Sequence, residues 1–213
     1  FIHISEYNDQ SMALAKPVYD NKRRMLLAAN VTIHPKYLDK LKQVGIQQLI
    51  VEDAESKGIT LEELIDMPTW MDIVGHVQEA FQAVKLRKPL PIRQLLTSAG
   101  SLIKEVLSRS VVLPVPSQTI AEELKPFAHA VNVTLLSLQV GKLLGYNEIM
   151  LRDLAIGCLL HDIGKAVEER EAKHPEAGFN VIRGIRELSL LSAHIAFQHH
   201  ESLDGTGYPR AIT

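Results

Sequence analysis

From Trp70 onward, apolar residues in this 213-residue chain recur at three- and four-residue spacing. That is the period of a helix with one buried face, and it returns in segment after segment almost to the C-terminus. The pattern turns helical from Ser56, and Trp70, Ile73, Val74, Val77, Phe81 and Val84 form the first stripe. Pro89 and Pro91 interrupt it, since proline lacks the amide proton a helix interior needs. Ile92, Leu95, Leu96, Ala99, Ile103, Val106 and Leu107 make a second stripe, and residues 111–116 read as a connector. Thr119 to Leu144 is predicted to be one long helix ending at Gly145. Asn147 is placed to cap the next, Pro175 to open another, and Leu188 to His200 forms the last. The expected fold class is mainly α, with a helical bundle in the C-terminal part.

The first sixty residues read differently. Two short apolar stretches, 15–20 and 25–29, flank the polar turn Asn21-Lys22-Arg23-Arg24 and predict a β-hairpin. His34-Pro35 opens a helix with stripe Leu38, Leu41 and Val44, capped by Gly45, and Ile46 to Val51 reads as a strand. The expected organisation is a small α/β module over 1–60, possessing a regulatory role, a helical connector over 61–116 and a helical domain over 117–213.

Bulk properties narrow the function classes. Net charge is −2, so nothing general favours duplex nucleic acid or a membrane surface. Any anionic ligand has to be caught by a local site. The single cysteine, Cys158, excludes an internal disulfide and fits a reducing, cytoplasmic setting. No apolar run approaches the roughly 20 residues of a membrane span. The basic residues of the first module, Lys16 and Lys22 to Arg24 among them, read as a solvated face.

Six of the nine histidines lie between His129 and His200. His129 shares a helix face with Val133, Leu136, Val140 and Leu143, which predicts either a core histidine or a ligand aimed into the bundle. His161-Asp162 ends a helix whose inner face carries Leu151, Leu154, Ala155, Cys158 and Leu159. Asp162 falls one turn past Cys158, and a carboxylate there needs a partner or a metal. Adjacent ligands diverge by about 100° on a helix, which suits two metals, or one at a frayed end. His174 precedes Pro175 and sits at a helix entrance. His199 and His200 follow Leu191, Ile195 and Ala196, and two neutral imidazoles side by side fit metal binding. Asp204-Gly205-Thr206-Gly207-Tyr208-Pro209 is a turn-rich loop whose glycines permit close backbone approach to a phosphate. His194 lies off the face of His199 and reads as structural.

In this order, His129, His161-Asp162-Ile163-Gly164-Lys165, His174 and His199-His200-Glu201 followed by Asp204 to Pro209 resemble the HD-GYP group of HD-type phosphohydrolases, over about 117–210. Residues 12–55 look like a module found ahead of such domains in bacterial proteins. The resemblance implies a metal-dependent phosphodiesterase that cuts a cyclic dinucleotide, cyclic di-GMP, to a linear dinucleotide or GMP in second-messenger signalling. It implies two divalent ions, iron or manganese. His129, His161 and Asp162 would hold one; Asp162 would bridge to a second completed by His174, His199 and His200. Asp162 and Lys165 are the expected catalytic pair, with Lys165 on a substrate phosphate. Gly207, Tyr208 and Pro209 would shape the pocket and Arg210 add charge, while Asp204 or Glu201 would assist proton transfer. Expected partners are the dinucleotide, a second copy of the chain and a GGDEF-type protein.

Three departures stand beside the likeness. The family continues past Gly-Tyr-Pro into a helix with a further aspartate ligand; this sequence stops at Thr213, so the domain over 117–213 is expected to be a C-terminally truncated one. The segment from Asp162 to His174 is short. Lys125 stands where members with a third metal carry glutamate, with Glu122 a poor substitute. The competing readings are a catalytically weak binding or interaction module and a hydrolase of another phosphate ester or a mixed cyclic dinucleotide.

Overall fold

The computed structural model describes residues 1–58 and 65–213. The N-terminal part contains β1 (Ile2–His3), β2 (Ala13–Leu14), β3 (Val18–Tyr19), β4 (Met25–Leu27), α1 (Pro35–Gln43), β5 (Gln48–Leu49) and β6 (Val51–Glu52). The strands form three antiparallel pairs, β1 with β5, β2 with β6 and β3 with β4. The predicted hairpin is the β3–β4 pair, with Val18 opposite Leu27 and Tyr19 opposite Met25. Asp20 sets its turn by accepting the amides of Lys22 (2.9 Å) and Arg24 (2.8 Å). α1 starts as the sequence predicts, with Pro35 in the first turn, and Gly45 past its end has φ +87°. The strand expected over Ile46–Val51 is two, because the chain changes partner at Ile50, whose carbonyl accepts the Ala15 amide at 2.8 Å. Ile4, Leu14, Val18, Ile33, Leu41, Ile46 and Leu49 close a small core here.

The remainder is helical: α2 (Met67–Lys85), α3 (Ile92–Ser108), α4 (Lys125–Leu143), α5 (Glu148–Leu159), α6 (His174–Arg183) and α7 (Leu190–Gln198). The helical pattern expected from Ser56 begins at Met67; 56–58 is turn, and 59–64 lies outside the described residues. Asp66 caps α2 by accepting the Thr69 amide, and Asn147 caps α5 by accepting that of Met150. The long helix expected from Thr119 starts instead at Lys125, after separate 3-10 turns over Ser117–Thr119 and Glu122–Leu124. Pro126 gives the reason: its ring clashes with the carbonyl four residues back, so the helix cannot extend upstream.

A second, larger core runs through α2 to α7, with Trp70 wholly buried in it. The Trp70 indole donates to Asn132 Oδ1 (3.2 Å), and Asn132 Nδ2 donates to the Val115 carbonyl (2.7 Å). Seven residues along α4, Gln139 pairs with both backbone groups of Val112. The connector is thus stitched along one face of α4. The first module adds Tyr19 and Ile50 to the larger core and is tied on by Gln47 N–H to Gln118 O, Glu122 N–H to Val44 O and an Arg23–Glu79 ion pair at 3.1 Å. Among the described residues no helix is long and apolar enough to cross a membrane.

Candidate metal centre

α4, α5, α7 and the entrance of α6 converge on one cluster. α5 stops at Leu159, so His161 and Asp162 lie just past its frayed end, and a 3-10 turn over Ile163–Ala166 carries Lys165. His174 opens α6 and is fully buried, with helical φ −61° and ψ −29°. The strain a following proline imposes on helical geometry does not displace it here. His199 and His200 follow the last turn of α7.

His129 corrects an expectation. The stripe it shares with Leu136, Val140 and Leu143 faces out: those three are 51%, 55% and 86% exposed. α4 buries instead Ala128, Val131, Thr134, Leu135 and Leu138. Both faces of this helix are apolar, so periodicity alone could not choose between them. His129 reaches the cluster from the rim, its ring centroid 5.3 Å from that of His161.

Three rings are aimed by one device. His161 Nδ1 sits 2.8 Å from the Cys158 carbonyl, His174 Nδ1 2.6 Å from that of Glu171, and His199 Nδ1 2.9 Å from that of Ala196. Each carbonyl lies three residues earlier and accepts the Nδ1 proton, which assigns a bare lone pair to Nε2. His174 Nε2 and His199 Nε2 then face each other at 3.1 Å. Two lone pairs at that distance repel unless a cation or a proton lies between them. Asp162 Oδ1 stands beside them, 3.2 Å from His174 Nε2 and 3.5 Å from His199 Nε2, and Lys165 Nζ is 3.1 Å from it. His200 Nε2 is buried without a hydrogen-bond partner, and Asp162 Oδ1 has the Lys165 ammonium as its charged neighbour. A carboxylate and converging imidazole nitrogens set this close together are a donor set that a divalent cation satisfies. Two overlapping sets have all ligand atoms within 4.8 Å of one another: Asp162, His174, His199 and His200, and His129, His161 and Asp162. Asp162 is common to both.

The electrostatics agree. Burial works against the Asp162 charge, but His161, His199 and Lys165 outweigh it and hold the carboxyl well below the carboxylate range. Burial also pushes His174 and His200 down, so both favour the neutral form that binds metal. Burial alone would lower Lys165, yet Asp162 and Glu171 raise it. A cleft of about 460 Å³ opens over the cluster, lined by His129, His161, His199, His200, Asp162 and Lys165 with Val133, Leu154 and Ile195 at its apolar side.

The loop after α7 folds back on the site. Tyr208 stacks on His200 with ring centroids 4.6 Å apart and planes at 18°, and its amide donates to the His200 carbonyl. Tyr208–Pro209 is cis. Gly207 is pressed against the loop's own backbone: a Cβ there would lie 2.3 Å from Ser202 N, so its smallness serves loop closure. Asp204 and Glu201, expected near proton transfer, are engaged within the loop. Asp204, lowered to about 2 by bonds from Thr206 and Ser202, caps the turn. Glu201 accepts the amides of Arg210 (2.6 Å) and Ile212 (3.1 Å). Arg210 is exposed. His194 packs on Phe179 and Phe197, away from the cluster's rings. Lys125 pairs with Glu122, a local contact of the turn before α4. Two residues that spacing did not single out also enter the site: Cys158, through its carbonyl, and Glu171, whose carboxylate reaches Lys165 (3.5 Å). Glu171 sat unremarked in a charged run, and its distance of three residues before His174 was the available signal.

A helical domain with a buried His/Asp cluster of this kind defines the class, and residues 127–213 match the HD domain family. This part of the chain is similar to HD domains, and its His/Asp group could hold divalent metal. Similar proteins include a cyclic di-GMP phosphodiesterase of Pseudomonas aeruginosa, 30% identical over 39% of this chain and 24% of its own length. Another, from Thermotoga maritima, is 30% identical over 42% of this chain and 29% of its own. The cyclic di-GMP phosphodiesterase PdeB of Borreliella burgdorferi is 32% identical over 40% and 26%. The match thus spans about a quarter of the length of each of these relatives. No solved structure matches the chain significantly.

Proposed function

We propose that the chain hydrolyses a cyclic dinucleotide, with cyclic di-GMP as the substrate, to the linear dinucleotide or GMP in bacterial second-messenger signalling in the cytoplasm. The observation that carries this reading is the pair of Nε2 lone pairs of His174 and His199 facing at 3.1 Å beside the Asp162 carboxylate. The substrate comes from the relatives, which are cyclic di-GMP phosphodiesterases.

In this reading His129, His161 and Asp162 hold one ion, and Asp162, His174, His199 and His200 hold a second, iron or manganese. Bound divalent ions supply Lewis acidity to a phosphoryl oxygen and lower the pKa of water near neutrality. The residues do the rest. Carbonyls of Cys158, Glu171 and Ala196 keep three rings in the Nδ1–H form and orient them. Lys165, held protonated by Asp162 and Glu171, offers positive charge to a phosphoryl oxygen. Val133, Leu154 and Ile195 give an apolar wall against which a base can lie. Tyr208 stacks on and buttresses His200, and in this reading Gly207 and Pro209 would shape the pocket and Arg210 would add positive charge.

The test is turnover of cyclic di-GMP by protein loaded anaerobically with Fe²⁺ or Mn²⁺, with products separated by chromatography. Metal-dependent release of linear dinucleotide or GMP is expected. No turnover by protein verified to carry both ions would overturn the assignment of substrate.

A further inference from the structure

Glu171 stands at the edge of the imidazole cluster, on the 3-10 turn over Glu171–Lys173 that leads into α6. Its main-chain carbonyl holds the His174 Nδ1 proton at 2.6 Å. Its carboxylate faces the same rings: Oε1 lies 3.6 Å from His200 Nε2 and 3.7 Å from His174 Nδ1, with Lys165 Nζ at 3.5 Å. His200 Nε2, the atom it faces most directly, is buried and has no hydrogen-bond partner.

We propose that Glu171 is itself a metal ligand, its carboxylate joining Asp162, His174, His199 and His200 around the second ion from the His200 side. The inference rests on the two-ion reading above. Reach is the first argument. Nitrogen and oxygen ligands bind at about 2.0–2.2 Å, so two atoms on one ion lie within roughly 4.4 Å of each other. The 3.6 Å from Oε1 to His200 Nε2 falls inside that limit, and a turn of the side chain would be needed to bring the carboxylate to the other ligands of the set.

Charge is the second argument. Five imidazoles and one shared carboxylate around two divalent ions leave several positive charges poorly compensated in a partly buried site, with Lys165 adding another. Glu171 is the carboxylate already drawn toward that excess. Its side chain is 64% exposed and its contacts are longer than a hydrogen bond, so it can turn onto an ion without breaking the fold. Doing so withdraws it from Lys165. Nζ then keeps Asp162 as its anionic neighbour and is freer to meet a phosphoryl oxygen.

The test compares wild type with Glu171→Gln, which removes the charge and keeps the shape, and with Glu171→Ala. Mn²⁺ binding is followed by anaerobic titration calorimetry and by metal content after desalting, with no substrate present. Far-UV circular dichroism and melting of the ion-free forms should match, since the altered side chain is largely exposed. The expected result is two ions in wild type, and in both variants one ion held as before with the other weakened about tenfold or more. Wild-type affinity for both ions in both variants overturns the proposal. A wild type that takes up no ion would instead sink the two-ion reading on which it rests.

Discussion

At the scale of single residues, the site is a set of imidazoles aimed by backbone carbonyls around one aspartate. Asp162 is common to both ligand sets, so its loss should be felt by both ions. Asp162→Asn keeps the shape and removes the charge; Mn²⁺ affinity at both sites is expected to fall at least about a hundredfold, at the strong end of what changes around metal ligands produce. Retention of one tight site, seen by titration calorimetry, would show that the aspartate does not bridge. A second expectation concerns pH. Burial holds His174 and His200 below the ordinary imidazole value of 6.5. Between that lowered value and 6.5 the unfolded chain binds more protons than the folded one, so stability of the ion-free protein rises with pH through the interval. It should therefore decline as pH falls below about 6.5, and ion uptake should persist to lower pH than a free imidazole allows. Urea midpoints measured in chelator across that range test this; a flat profile contradicts it. That these six residues gather in one cluster could be anticipated because histidine and aspartate carry their chemistry in their identity. Glu171 was not, because a glutamate in a charged run looks solvated until the turn before α6 brings it within 3.6 Å of His200.

At the scale of elements, the 3-10 turn over Ile163–Ala166 is pressed onto the first turn of α6. A Cβ on Gly164 would lie 2.0 Å from the His174 carbonyl and 2.6 Å from the Gly178 amide. Glycine is thus required at 164 by backbone approach between two elements that carry residues of the cluster. Gly164→Ala should push the start of α6 outward, cost about 1–3 kcal/mol as overpacking does, and weaken the ion that His174 serves. A lowered urea midpoint together with weaker Mn²⁺ binding is expected; a variant that changes neither would show that the turn yields without moving His174. Local signals that are self-contained were readable in the sequence. The β3–β4 hairpin, the Pro35 start of α1 and the Asn147 cap of α5 each depend on a few adjacent residues. The start of α4 depended on how Pro126 and the first module compete for residues 117–124, and its buried face depended on which apolar stripe α2, α3 and α5 would cover. Neither is written in the helix's own periodicity.

At the scale of the whole molecule, the small core of the first module and the larger helical core are joined through Tyr19, Ile50 and the backbone bonds from Val44 and Gln47 to the turns before α4. The same α4 carries His129 at its rim and Asn132, which holds the Trp70 indole. A native state so connected should unfold as one unit, and an ion that binds only the native state then stabilises all of it. At a hundred times its dissociation constant an ion contributes about 2.7 kcal/mol. For a chain of this length that corresponds to a rise of roughly 5–10 °C in melting temperature. Trp70 is the only tryptophan and is wholly buried between α2 and α4, so its fluorescence reports global unfolding. The expected result is one transition in Trp70 fluorescence, raised by Mn²⁺ and returned by chelator, coincident with loss of helical circular dichroism. A Trp70 transition indifferent to ions that demonstrably bind would mean that the metal centre folds apart from the core around α2. In that case the first module and its connector would brace a different part of the chain from the one that holds the ligands.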